Sequence, residues 1–384
     1  MHRREFLTAA ASAGAALSLP GGGDPPVADA RREPRDAAHR RRSLWVDAQG
    51  ALSGLDETPG GRYTPTPRLV EAVRQRRLDL VNITVAEVGN GADRFRSAVD
   101  GIAAWNRIIH DNDALFARVE RIADIHAARA AGKLGIIYDF QDTAPLEGDG
   151  ARVATFAALG VKVIQLTYNK RNLCGDGCLE RDNAGLSDFG REVIARITDA
   201  RVLLDLSHAG QKTVAEGIAA SAAPPAITHS GCRALVDRPR NTYDAEMRAL
   251  ADKGGVFGVY LMPFLAAKGQ PQREDLIRHL EHAVNVCGED HVGIGTDNPL
   301  LGFELNDQSR KEQREFYEAR AKLGIAAPGE APDVFNIVDG YNDAARFDRL
   351  ASDLAGRGWS ATRVEKVLGG NFLRLFGDVW SAAG

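Results

Sequence analysis

Val202-Leu-Leu-Asp-Leu-Ser-His208 is a short apolar run that ends on a histidine, and Pro225-Ala-Ile-Thr-His229 repeats this pattern further along the chain. Runs of this kind, bounded by turn residues, are typical of buried parallel strands. In a barrel of alternating strands and helices, the C-terminal ends of the strands face the active site. The two runs therefore predict that the side chains of His208 and His229 converge at one end of a barrel.

A third run, His291-Val-Gly-Ile-Gly-Thr-Asp297, brings a carboxylate to a strand end in the same way. A single histidine at a strand end is more often a hydrogen-bonded structural residue than a metal ligand. Three polar groups at the ends of three apolar strands would be costly to desolvate unless they formed one functional site. Because imidazole nitrogen and carboxylate oxygen suit zinc, we predict a zinc-type site of His208, His229 and Asp297.

Composition limits the range of partners. The chain has 384 residues, of which 44% are hydrophobic and 26% charged, enough for one large barrel or two ordinary domains. A net charge of -4 and a pI near 6.2 argue against a basic surface for nucleic acid. We therefore expect a small molecule as the partner.

The N-terminus resembles an export signal. Arg3 and Arg4 precede a Phe-Leu step and a short apolar stretch, and Ala28-Asp-Ala30 offers a small-x-small cleavage site. We predict a twin-arginine signal peptide over residues 1–30, a basic leader over 31–42, and a periplasmic or extracytoplasmic mature protein. The apolar stretch is too short to span a bilayer comfortably, so no span is expected in the mature chain, although an uncleaved anchor is an alternative.

The pattern of apolar runs predicts an α/β fold, a (β/α)8 TIM-like barrel over residues 43–384. Eight runs read as strands, with helical spacing between them, which favours a closed barrel over an open doubly wound sheet. A long helical region is expected over 92–131, a polar, irregular lid or excursion over 298–335, and a helical C-terminal extension packed on the barrel. The predicted strands are Leu44–Ala48, Leu78–Val85, Leu134–Phe140, Val161–Thr167, Arg201–Ser207, Ala226–Thr228, Gly255–Tyr260 and Val292–Thr296.

The cysteines offer no metal motif. Cys174-Gly-Asp-Gly-Cys178 has the spacing for a small disulfide in an oxidising compartment, and two free thiols are the equal alternative.

Five segments, taken in order, resemble those of the membrane (renal) dipeptidases of the amidohydrolase superfamily. The resemblance runs through most of residues 44–380. The segments are Leu204-Asp-Leu-Ser-His208, Ile227-Thr-His-Ser230, Arg238-Pro-Arg-Asn241, Val292-Gly-Ile-Gly-Thr-Asp297 and Val367-Leu-Gly-Gly-Asn-Phe-Leu-Arg374. The resemblance implies a TIM-like barrel whose two zinc ions hydrolyse short peptides.

The resemblance also implies roles for individual residues. His208 and His229 match the two later histidine ligands, and Asp297 matches the strand-eight aspartate, which would also move a proton from the attacking water to the leaving amine. Arg240, followed by Asn241, would bind the terminal carboxylate of the substrate.

Other ligand positions depart from the family pattern. Where the family has His-x-Asp after strand one, this chain has Gln49 and Ala51, and Gln141 occupies the position of the bridging glutamate. Tyr168 replaces a histidine that contacts the scissile carbonyl, and would donate a hydrogen bond to a developing oxyanion. Two dications need anionic charge between them, so the substitutions predict one zinc ion rather than two, or none.

Three nearby aspartates offer alternative ligands. Asp47 lies two residues before Gln49 on the same strand face, and Asp139 and Asp142 flank Gln141. Ordinary loop or strand-end roles are the more common outcome for such residues.

Three functions fit the sequence. We predict a metal-dependent hydrolase that cleaves dipeptides or related small amides, with a homodimer left open. The alternatives are a metal-free barrel that binds a small molecule through Arg240, and a lyase or isomerase that uses Tyr168 and Asp297 as an acid and base pair.

Overall fold

A computed structural model describes residues 44–58, 61–89, 91–322, 324 and 326–381. The predicted signal peptide of residues 1–30 and the leader of residues 31–42 lie outside these residues. Within the described ranges, no helix is both long and apolar enough to cross a membrane.

Parallel strands form the centre of the molecule. The strands of the described chain are β1 Val46–Gly50, β2 Leu55–Thr58, β3 Arg62–Pro65, β4 Leu80–Thr84, β5 Phe116–Arg118, β6 Leu134–Phe140, β7 Val161–Gln165, β8 Leu203–Asp205, β9 Ala226–Ser230, β10 Val256–Val259 and β11 Val292–Ile294. In spatial order, β1, β4, β6, β7, β8, β9, β10 and β11 are neighbours, and all pair in parallel.

The first and last of these strands meet through the residues that follow them. The backbone N–H of Asp297 donates to the carbonyl of Gln49 at 2.7 Å, and that of Ala51 donates to the carbonyl of Asn298 at 3.1 Å. The result is a nearly closed barrel, which confirms the predicted (β/α)8 fold and sets Asp297 beside the end of β1.

Helices cover the outside of the barrel. Each pair of neighbouring barrel strands is joined by a helical connection, as expected where both faces of a parallel sheet must be buried. The helices are α1 Pro67–Arg74, α2 Arg94–Asp111, α3 Ile122–Ala130, α4 Arg152–Ala158, α5 Asp188–Asp199, α6 Gln211–Ala220, α7 Asp244–Asp252, α8 Arg273–Cys287, α9 Asp307–Lys322, α10 Arg346–Gly356, α11 Ala361–Glu365 and α12 Asn371–Trp380.

The C-terminal helix closes the N-terminal end of the barrel. Phe372 and Phe376 of α12 are buried in one cluster with inward-facing strand residues such as Val46 and Ile137. Gly293 of β11 leaves the room that Phe372 fills, since a Cβ there would lie 2.4 Å from the ring. The predicted C-terminal extension thus packs on the barrel and leaves the opposite end open for chemistry.

Three parts of the chain differ from the sequence prediction. The region 92–131 is not one helical stretch, because β5 separates α2 from α3 and pairs with β6. The β2–β3 hairpin was not predicted. The segment 298–335 is not irregular throughout, since it contains the 16-residue α9. No residue of α9 is buried, so the helix lacks the apolar stripe on which periodicity depends.

The cysteine thiols are free in the structure. Cys174 is buried with its sulfur 3.2 Å from the Thr143 hydroxyl, whereas the Cys178 thiol donates to Oδ1 of Asn169 at 3.4 Å. Of the two alternatives for this pair, the structure has the thiols.

Candidate functional site

The strand ends bring together the three residues predicted to bind metal. His208 follows β8, His229 lies in β9, and Asp297 follows β11, and one ligand atom of each lies within 4.8 Å of the others. All three side chains are buried. His208 and Asp297 both have left-handed backbone angles, with φ of 59° and 57°. Non-glycine residues rarely adopt this conformation, and such strain is concentrated at functional sites.

The ring of His208 is oriented by an amide. Its Nδ1 lies 2.7 Å from Oδ1 of Asn169, which can only accept a hydrogen bond. The proton of His208 is thereby assigned to Nδ1, and Nε2 has no hydrogen-bond partner among the described residues. A buried nitrogen lone pair is left facing the site.

A chain of hydroxyl and carboxylate groups orients His229. The Thr228 hydroxyl donates to Oδ2 of Asp205 at 2.6 Å, so its oxygen accepts the proton of His229 Nδ1 at 2.8 Å. Asp205 is held by further hydrogen bonds from the Thr228 backbone and from Ser207. The Nε2 atom of His229 is therefore also a buried lone pair, without a hydrogen-bond partner in the described part of the chain.

Burial keeps both histidines neutral. It is the largest cause that lowers their pKa values well below the usual 6.5, and the charge of Arg240 acts in the same direction. Burial raises the pKa of Asp297 to about 7, while Arg240 and Arg320 oppose this increase. Neutral imidazoles with an oriented Nδ1–H and a neighbouring carboxylate are the donor set of a divalent transition-metal site. The residues present fit one such ion.

The end of β1 does not supply further ligands. The Gln49 amide donates to the Thr84 hydroxyl at 3.1 Å, and Ala51 has no polar side chain. The sequence offers Asp47 as a replacement ligand, but its carboxylate accepts hydrogen bonds from the backbone and hydroxyl of Thr296 at 2.7 and 2.6 Å. Asp47 therefore holds the strand that leads to Asp297.

The residues around Gln141 also lack a ligand cluster. The Asp142 carboxylate accepts hydrogen bonds from the backbone N–H groups of Gly89 and Ala144, so it stabilises the loop after β6. Oε1 of Gln141 and both carboxylate oxygens of Asp139 are buried without partners in the described chain. Among the described residues, His208, His229 and Asp297 form the only group of three or more potential metal ligands.

Tyr168 covers the face of His208. The two rings are stacked with centroids 4.1 Å apart. Burial raises the pKa of the Tyr168 hydroxyl, although the charge of Arg320 partly offsets it, so the group stays protonated at neutral pH. The side chain of Arg320 hydrogen-bonds to Tyr168.

Arg320 comes from α9, in the segment predicted to be a lid or excursion. Its Nε and Nη2 atoms donate to the two carboxylate oxygens of Glu330, each at 2.9 Å. The side chains of this pair are only 11% and 7% exposed. The segment thus places a largely buried, bidentate ion pair against the end of the barrel that carries His208, His229 and Asp297.

Arg240 is buried beside the histidines, with its guanidinium 5.6 Å from the Tyr260 ring centre. Its Nη2 has no partner among the described residues. Asn241 has a different environment, because its amide donates to the carbonyls of Val236 and Phe264 and accepts from the Tyr260 hydroxyl. Those contacts fix the loop that carries Arg240 and leave Asn241 little capacity for a substrate.

Sequence reasoning missed the groups that orient the site. Asn169 follows the predicted strand four and Asp205 lies within the quoted run before His208, so their positions were visible but their partners were not. Arg320 had no detectable signal, since it is one of many charged residues in α9.

Comparisons with known proteins agree with this architecture. Residues 68–312 match the family model for membrane dipeptidase (peptidase family M19). A solved amidohydrolase from Pseudomonas aeruginosa is 33% identical, with a TM-score of 0.75 over 90% of this chain and 98% of that chain. A metallopeptidase from Rhodobacter sphaeroides, liganded with a phosphinate mimic of L-Ala-D-Ala, shares the fold at 16% identity, with a TM-score of 0.70 over 88% of this chain and 100% of that chain.

Curated relatives include proteins of different length. An uncharacterized protein in the pqqA 5' region of Klebsiella pneumoniae is 28% identical over 269 residues, covering 67% of this chain and 87% of that protein. Dipeptidase 3 of Rattus norvegicus is 24% identical over 345 residues, covering 83% of this chain and 64% of its own length. The chain spans about half the length of dipeptidase tcpJ of Claviceps purpurea, 54%, at 25% identity over 68% of this chain.

Proposed function

Because the chain belongs to the membrane dipeptidase family and is a dipeptidase-like hydrolase, we propose that it cleaves the amide bond of dipeptides with a single zinc ion. His208, His229 and Asp297 would hold the ion. One observation carries the proposal: two buried imidazoles present unpartnered Nε2 atoms beside a buried carboxylate. Unsatisfied buried nitrogens are costly unless a ligand completes them.

When bound, a zinc ion there would act as a Lewis acid toward the scissile carbonyl and lower the pKa of a water molecule. The side chains of the protein supply the remaining steps. Asp297 accepts the proton of the attacking water and delivers it to the leaving amine. Tyr168, held by Arg320, donates a hydrogen bond to the developing oxyanion.

Substrate binding is assigned to Arg240. Its buried Nη2 lacks a partner in the described chain, and a guanidinium binds a carboxylate with good geometry. A dipeptide whose terminal carboxylate contacts Arg240 would have its amide bond near His208, because the same cavity is lined by both residues.

The test is a paired measurement of metal binding and hydrolysis. Protein depleted of metal is titrated with zinc by calorimetry, and hydrolysis of Ala-Ala is followed before and after zinc is restored. We expect about one ion per chain and activity that depends on it. Zinc binding without hydrolysis of any dipeptide would favour a small-molecule binding barrel. Hydrolysis that is unchanged in metal-depleted protein would overturn the metal assignment.

We also propose export by the twin-arginine route, on the basis of Arg3 and Arg4. Replacement of both residues by lysine should retain the protein in the cytoplasm when cells are fractionated. Equal periplasmic recovery of the wild-type and Arg3→Lys/Arg4→Lys proteins would contradict this route.

A further inference from the structure

We propose that a cavity beside the metal site holds the C-terminal residue of the substrate, and that Glu246 selects a cationic side chain there. This inference rests on the proposed dipeptidase function. It adds a residue for side-chain selectivity, Glu246, to the metal ligands, the oxyanion contact and the carboxylate-binding arginine.

The cavity has a volume of about 400 Å³ and is lined by one of the three proposed metal ligands, His208, and by residues of α6 and α7. His208 and Arg240 line it on the side of the metal site, and Gln211 and Glu246 line it where α6 and α7 begin. Pro328, from the segment after α9, also lines it. A side chain attached to a residue whose carboxylate contacts Arg240 can therefore extend toward Glu246 without leaving the cavity.

Glu246 has an incomplete set of partners. Glu246 is only 7% exposed, and its Oε1 accepts a hydrogen bond from Nε2 of Gln211 at 3.2 Å. The other carboxylate oxygen of Glu246, Oε2, is buried and has no hydrogen-bond partner in the described part of the chain. Glu246 is one of the residues that line the cavity. A buried carboxylate oxygen without a donor is costly, so the site is complete only when a ligand supplies one.

Opposite charges at two points match one class of substrate. The unpartnered Nη2 of Arg240 is a donor for the terminal carboxylate, and Oε2 of Glu246 is an acceptor for an ammonium or guanidinium group. A C-terminal lysine or arginine carries both complementary charges, separated by a flexible apolar stem.

The other arginines of the cavity wall do not reverse this preference. Arg233 donates to Asp237 at 2.7 Å and lies 4.4 Å over the Tyr243 ring, so its charge already has partners. Arg181 is exposed, where solvent and salt screen its charge. The buried groups decide specificity, because an unpaired charge costs most where water is excluded.

The experiment compares Ala-Lys with Ala-norleucine, which differ at the end of the side chain by the ammonium group. We expect wild-type kcat/KM for Ala-Lys to exceed that for Ala-norleucine by about tenfold or more, since hydrogen bonds to charged groups contribute on this scale. Glu246→Gln should remove that difference mainly through KM and leave hydrolysis of Ala-norleucine close to wild type. Asp252→Asn is the matched control, because it makes the same charge change on the exposed end of α7 and should keep the preference.

The outcomes separate this inference from the proposed function. If Ala-norleucine is hydrolysed and the two substrates have the same kcat/KM ratio in wild type and Glu246→Gln, the selectivity assignment is wrong. Preference for Ala-Glu would instead assign specificity to the arginines of the wall. If no dipeptide is hydrolysed, the dipeptidase proposal fails, and calorimetric binding of lysine against norleucine to wild type and Glu246→Gln still decides the role of the cavity. Circular dichroism melting curves establish that each variant is folded.

Discussion

The Nδ1 atom of His208 lies 2.7 Å from the Oδ1 atom of Asn169, an acceptor that leaves the proton of the ring no other position. The Thr228 hydroxyl, itself donating to Asp205, has the same effect on His229. Two unrelated partners thus produce the same result, an imidazole whose Nε2 lone pair faces Asp297. In metal sites, a group that accepts the Nδ1–H of a histidine ligand raises the basicity of that histidine and fixes the orientation of its ring.

The first prediction concerns metal content. His208→Ala and His229→Ala should each reduce bound zinc from about one ion per chain to near zero, because two protein ligands hold a structural or catalytic zinc poorly. Inductively coupled plasma mass spectrometry after dialysis against metal-free buffer measures this. His126→Ala, a change at an exposed histidine of α3, should retain the ion. Wild-type zinc content in both site variants would refute the assigned ligand set.

A second prediction addresses the missing ligands. The combined change Gln49→His/Ala51→Asp/Gln141→Glu should raise the stoichiometry from about one ion to about two, because it restores anionic charge between two sites. Gln141→Glu alone leaves the end of β1 neutral, so the difference between the two variants measures how much the strand-one ligands matter. Zinc titration by calorimetry reports both values. A combined variant that folds and still binds one ion would show that other residues limit the second site.

The third prediction is a pH effect on stability. Burial raises the pKa of Asp139 from 3.8 to about 8, with nearby Asp205 and Asp297 adding to it and Thr84 and Gln49 partly opposing it. The folded state therefore binds more protons than the unfolded state between these pH values, and stability falls as pH rises through that window. The cost above pH 8 is on the order of 6 kcal/mol for a shift from 3.8 to about 8.

Asp139→Asn should remove this dependence. In urea unfolding, Asp139→Asn should increase the free energy of unfolding over wild type more at pH 9 than at pH 4.5. The free energy of unfolding of the variant should therefore change less between these two pH values than that of the wild type. Asp252→Asn, at an exposed position, should change neither. An equal effect of Asp139→Asn at both pH values would mean that the carboxyl is not protonated in the folded protein.

The barrel and the cluster of His208, His229 and Asp297 could be predicted because each depends on local pattern. Buried parallel strands read as apolar runs, and Leu134–Phe140 has the predicted bounds in the structure. His208, His229 and Asp297 were found because strand ends define where side chains meet. No such rule places Glu246 beside Gln211 or Arg320 beside Tyr168, since these partners are distant in sequence and both charged residues lie on helices where such residues are common. Asp47 is an error of the other kind, a residue that sequence position suggests as a metal ligand. Its hydrogen bonds from Thr296 give it a structural role instead.

The last prediction concerns the ion pair of the segment after β11. Arg320 bonds to both oxygens of Glu330 and to Tyr168, so it sets the position of the tyrosine hydroxyl over the site. Arg320→Gln should lower kcat/KM for Ala-Ala roughly tenfold to a hundredfold, the range expected for loss of a hydrogen bond to a charged group. Because the oxyanion contact is made only in the transition state, the loss should appear in kcat, with KM little changed.

Two controls make this result specific. Arg314→Gln removes an exposed positive charge from the same helix and should leave kcat/KM unchanged. Glu330→Gln keeps the shape of the pair but leaves Arg320 buried without its anionic partner, which should lower both the melting temperature and kcat/KM. Steady-state kinetics with a fixed concentration of zinc, alongside melting curves, distinguish loss of stability from loss of positioning. Wild-type kcat in a folded Arg320→Gln protein would mean that the Tyr168 hydroxyl does not depend on the segment after β11.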